Sequence, residues 1–133
     1  IKIDATSGIN GICTSGMGGR SLTCGIAQSV TVLGAHTSMT DVAATSVANQ
    51  VSVEHPNISK KLAEELQPYT DIEGILVTDS VGELPSEIWK SAIEYGVLEA
   101  ERLIELGVIR GAVLHAGNLR ATVPDKIPGL ELA

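Results

Sequence analysis

Asp41, Thr45 and Asn49 lie at four-residue intervals in the stretch His36–Val51. On a helix that spacing stacks them along one face as a carboxylate, a hydroxyl and an amide. Hard divalent cations such as magnesium take oxygen ligands of these kinds, completed by water and substrate phosphate. Asp41 and Thr45 are therefore candidate magnesium ligands. A structural reading competes with this one. Ser38-Met39-Thr40-Asp41 has the spacing of a capping box, with Asp where Glu is usual, so Asp41 would only satisfy the helix start.

A second candidate lies upstream. The run Gly8–Gly25 is dense in glycine, and within it Thr14, Ser15, Gly16 and Arg20 combine hydroxyls, a flexible backbone and one cation. A nest of amides with a guanidinium suits a phosphate. The run is neither a Walker A loop, lacking GK[ST], nor a dinucleotide fingerprint, lacking GxGxxG. A plain glycine-rich turn between strands explains it equally well. His36, His55 and His115 show no metal-ligand spacing, and no base can be assigned to Ser7, Cys13 or Ser15 as nucleophiles. The pairs Lys60-Lys61 and Glu64-Glu65 read as a solvated helix face.

These residues need a scaffold. A chain of 133 residues with 44% apolar content is long enough for one domain with its own core, built from Val, Ile, Leu and Ala because Phe is absent. The net charge of −7, without a basic run, disfavours nucleic acid. No apolar run has the length of a membrane span. Cys13 and Cys24 lack zinc or CxxC spacing and read as reduced thiols of a cytoplasmic protein, with one disulfide between them as the alternative. The chain opens at Ile1 with a strand already under way, as a fragment or cleavage product would.

Alternation predicts a first strand at "IKID", and β-branched runs predict buried strands at Ser29–Leu33 and Ile75–Thr78. Helices are expected from near Ser38, over "ISKKLAEELQ" up to Pro68, and from Ser86 to Leu106, with Ser86 capping the last and Gly107 ending it. That last helix should cover both buried strands. A hairpin turning at Gly117-Asn118 follows, then a loose tail from Pro124. The expected class is α+β with a mixed or antiparallel sheet packed against helices.

Two segments resemble a known family. "GICTSG", "GGRS", "SVTV" and "DVAAT" followed by "AN", between Ile9 and Val51, are similar to ApbE and its uncharacterised relatives. ApbE proteins move FMN from FAD onto a protein threonine with magnesium. The resemblance implies an ApbE-like α+β fold, FAD or FMN as ligand, magnesium at Asp41 and Thr45, and phosphates near Thr14, Ser15, Gly16 and Arg20. Flavin phosphoryl transfer or pyrophosphate hydrolysis would be the activity. The transferases carry a histidine-rich segment and a DPxTG turn where this chain has "MGGRSLTCGIAQ". Family members are also about twice as long. The chain thus resembles a C-terminal half, whose partner would be the missing N-terminal half or a second copy. The alternative is a non-catalytic ligand-binding or structural subunit.

Overall fold

The computed structural model describes residues 2–19 and 22–131. The scaffold is a four-stranded antiparallel sheet with two helices on one face. Its strands are β2 (Gly11–Ser15), β3 (Ser29–Gly34), β6 (Gly111–Ala116) and β7 (Leu119–Val123), in the order β2-β3-β6-β7. Two two-stranded sheets flank it: β1 (Lys2–Ile3) with β8 (Leu130–Glu131), and β4 (Ile58–Leu62) with β5 (Leu76–Val81). The helices are α1 (Thr37–Gln50), the short α2 (Ala63–Leu66) and α3 (Ser86–Glu105). All strand pairs are antiparallel, so the expected α+β class holds.

The core lies between the sheet and helices α1 and α3. Val30 and Val32 of β3 and Ala112 and Leu114 of β6 point into it and meet Ala44, Val47 and Ala48 of α1 and Ala92, Ala100 and Leu103 of α3. A smaller cluster of Leu33, Val113 and Ile127 closes part of the sheet's other face. The small residues let the helices approach closely. Gly11 and Gly34 are cross-strand partners. A methyl at Gly11 would meet the Thr37 Cα at 2.9 Å, and one at Gly34 would collide with the Thr40 hydroxyl. The first turn of α1 thus rests directly on two bare backbones.

Several local expectations hold. The helix from Ser86 ends in a Schellman motif: Gly107 has φ +76°, its N–H donates to the Ile104 carbonyl at 3.0 Å, and the Val108 N–H donates to Leu103 at 2.9 Å. The β6–β7 hairpin turns at Gly117-Asn118, with Gly117 at φ +61°.

Others are corrected. Pro85, not Ser86, precedes α3, and among the described residues no side chain caps that helix. The segment "ISKKLAEELQ" is a strand, Ile58–Leu62, followed by only four helical residues. Cross-strand pairing with Leu76–Val81 overrides the helical spacing of its apolar residues. Ile75 is 47% exposed and lies outside β5, and β5 itself belongs to the separate pair with β4. The layer model of one helix over both apolar runs therefore fails: α1 and α3 share the sheet, α1 over β2 and β3, α3 over β6 and β7. Of that second run only Val77 and Thr78 are buried. The tail is tied down, since Leu130 pairs with Ile3.

Candidate functional site

Asp41 is the fifth residue of α1, because the helix begins at Thr37 with His36 as its N-terminal boundary. Among the described residues no side chain caps it. Ser38 is inside the first turn and cannot be a cap, so the capping-box account of Asp41 fails. What holds that turn instead is Thr40, which is fully buried and donates its hydroxyl to the His36 carbonyl at 2.6 Å.

The face that Asp41 occupies follows from its neighbours. Ser46 donates to Glu99 of α3 at 2.9 Å, so that side of α1 faces α3. Asn49 accepts the Cys24 N–H at 3.0 Å and the Thr23 hydroxyl at 3.3 Å, so its side faces the glycine-rich segment. Asp41 and Thr45, two turns and one turn before Asn49, share its side. Both are exposed. Among the described residues no hydrogen bond or ion pair engages the Asp41 carboxylate. Thr45 donates its hydroxyl proton to the Asp41 carbonyl at 3.3 Å, which leaves the hydroxyl lone pairs outward.

Strand alternation sorts the residues of β2. Gly11, Cys13 and Ser15 face the helices, with Ser15 opposite the core residue Val30. Thr14 points to the opposite face, where its hydroxyl bonds that of Thr31 at 3.0 Å. Thr14 is therefore separated from Asp41 by the sheet, while Cys13 and Ser15 share Asp41's side. Cys13 reports that closeness. Burial, and then the Asp41 charge, push its thiol above the ordinary range, and its Sγ lies 3.7 Å from the Thr37 carbonyl. A raised thiol is a poor nucleophile at neutral pH. Both cysteines are free.

The glycine-rich turn is more tightly built than a phosphate nest. The Met17, Gly18 and Gly19 N–H groups donate to the carbonyls of Ala27, Gln28 and Gly16, at 2.8, 2.9 and 3.1 Å. Gly16 has φ +130°, and a Cβ there would meet the Gln28 carbonyl at 2.8 Å. Its role is to let the chain cross that carbonyl. On this side β2 offers the Ser15 hydroxyl; Arg20 lies outside the described residues. Lys60 adds a cation nearby, its Nζ donating to the Cys24 carbonyl at 2.7 Å.

The donor set suits magnesium. One carboxylate and one hydroxyl, completed by water and phosphate, is an ordinary hard-cation arrangement. It needs no cluster of three His, Cys, Asp or Glu, and among the described residues there is none.

A family model described as AbpE bacteria matches residues 1–123. The chain belongs to the AbpE bacteria family. No curated protein and no solved structure matches it. The AbpE bacteria match extends well beyond Ile9–Val51, the segment that carried the ApbE resemblance, and takes in all the strands and helices from β1 to β7. Among the described residues no helix is long and apolar enough to cross a membrane.

Sequence reasoning named Asn49 and Cys13 but not the contacts that either makes. Asn49 belonged to the stripe, but its anchoring role needs the loop to be folded against α1. Cys13 could have been placed from strand parity alone, since it stands two residues from both Gly11 and Ser15.

Proposed function

We propose that this chain binds a phosphate-bearing ligand of the FAD or FMN class, with magnesium held by Asp41 and Thr45. The observation that supports the reading is an exposed carboxylate in the second turn of α1. It has no capping duty and no described partner, and a hydroxyl follows it one turn later on the same flank. Ser15 would meet the phosphates from the β2 side, Gly16 would shape the turn that follows it, and Arg20 would supply the cation. Thr14, across the sheet, is left to the Thr31 pair. Bound magnesium would neutralise phosphate charge and polarise a P–O bond, so phosphoryl transfer or pyrophosphate hydrolysis is the reaction class that fits.

The test is calorimetric titration of magnesium with FAD or ADP into the wild type, Asp41→Asn and Thr45→Val. Metal-dependent binding should be lost in the first variant and weakened in the second. Equal binding by all three would overturn the reading. It would favour a non-catalytic subunit, in which Asp41 and Thr45 are only a solvated helix face.

A further inference from the structure

The connection from β5 to α3 and the turn from β6 to β7 meet around the only tryptophan of the chain. Trp89 is half-buried near the start of α3. Gly117 sits against its ring, since a Cβ there would come within 2.7 Å of the indole. Two adjoining cavities share Trp89 and Leu84, one of about 620 Å³ and one of about 250 Å³. Together they have the size of a ligand cleft, roughly 300–1,000 Å³. Their walls are tied to one another. The Gly82 N–H donates to the Asn57 carbonyl at 2.8 Å, the Asn57 side-chain amide donates to the Glu83 carbonyl at 2.6 Å, and the Gln28 side-chain amide donates to the Gly117 carbonyl at 3.4 Å.

The polar groups that these bonds leave over select the ligand. Asn57 and Gln28 each engage an amide N–H and keep the side-chain oxygen as an acceptor. The Glu83 carboxylate is a further acceptor, in no ion pair among the described residues. His55 accepts the Asn57 N–H on Nδ1 at 3.1 Å, so its neutral ring carries the proton on Nε2 and offers a donor. The Trp89 N–H has no described acceptor and is not a buried unpaired group, so it is open as a second donor. No lysine or arginine lines either cavity, and Glu83 repels anions, which disfavours a phosphate or carboxylate ligand. Proline-rich peptides need grooves lined by aromatic rings, and here there is one ring. Hydroxyl groups both donate and accept, which matches this mixed set, and the C–H face of a pyranose packs on an indole. We infer that the Trp89 cleft binds a neutral saccharide, and that two cavities about one indole suit two linked rings. None of the lining residues comes from α1, so the inference does not rest on the magnesium reading.

Trp89 reports on its own site, because no other residue contributes tryptophan emission. Maltose, cellobiose and N,N′-diacetylchitobiose, titrated into the whole chain up to the millimolar range, should give a saturable shift or quench of that emission with at least one of them. Inorganic phosphate and a polyproline peptide should leave it unchanged. Glu83→Ala and Ser86→Ala, both at exposed positions, should keep the wild-type circular dichroism. Each should weaken binding of the responding disaccharide by about fivefold or more, as the loss of a hydrogen bond does. No saturable response to any of the three disaccharides would overturn the inference. So would a response of equal affinity in the wild type and both variants, or one given by phosphate or polyproline in place of the sugars.

Discussion

The side-chain carbonyl of Asn49 on α1 accepts the backbone N–H of Cys24 at 3.0 Å, and so anchors the end of the glycine-rich segment to the helix. The same oxygen takes the hydroxyl of Thr23, which is itself buried and receives the Gly25 N–H at 3.1 Å. The third residue of the oxygen stripe is therefore structural, while the first two remain open to solvent. Asn49→Ala removes the acceptor from both donors at once. Leaving a part-buried N–H unsatisfied costs about 1–3 kcal/mol. Urea denaturation should show a loss in that range, with faster amide exchange at Cys24. A loss under about 0.5 kcal/mol would mean that water replaces the anchor.

Asp41 should behave in the opposite way. It caps nothing and touches no described donor, so Asp41→Asn without metal should change stability by less than about 0.5 kcal/mol. With magnesium and ADP present, the wild type should gain thermal stability by linkage, and the variant should not. A fall of 1 kcal/mol or so in the absence of metal would show that the carboxylate carries a structural load.

Gly34 and Thr40 share one space. Gly34→Ala pushes a methyl into the Thr40 hydroxyl, and overpacking of this kind costs about 1–3 kcal/mol. Thr40→Ala alone loses the bond to His36, worth about 1 kcal/mol. In the double variant the clash disappears, so the two losses should be less than additive by about 1 kcal/mol. Strict additivity in denaturation midpoints would refute direct contact between the two positions.

Glu99 gives a pH signature. The Arg102 guanidinium, donating at 2.6 Å, and the Ser46 hydroxyl hold its carboxyl below the usual range, against the opposing effect of burial. A lowered folded pKa means stability that is present above the unfolded value and lost as pH falls through the folded one. Arg102 is largely exposed, so solvent screens the pair and its contribution is small. Glu99→Gln should lower stability slightly at pH 7. The difference from wild type should shrink as pH falls below the ordinary glutamate value of about 4.3, and urea melts at several pH values check it. A gap that is constant with pH would assign the effect to packing.

Leu103 projects from α3 into the core and is 8% exposed. Leu103→Ala should cost ~2–5 kcal/mol. A change below about 1 kcal/mol would mean that the helix is only loosely seated.

What the sequence determined by itself were the features written in short-range spacing. The twenty residues of α3 show their apolar stripe every three or four positions, and Gly107 ends them because only glycine takes the left-handed conformation cheaply. The Gly117-Asn118 turn and the buried run of β3 are local in the same sense. Tertiary structure decided the rest. Ile58–Leu62 became a strand because Leu76–Val81 offered a ladder, a partner invisible to local periodicity. Leu130 found Ile3 from the far end of the chain. Strand parity divided Thr14 from Ser15, but only the seating of α1 over β2 and β3 fixed which of them shares a side with Asp41. The same packing gave Asn49 to the loop and left Asp41 and Thr45 exposed. A stripe of three oxygens is legible in sequence, whereas the division of labour within it depends on what folds against each one.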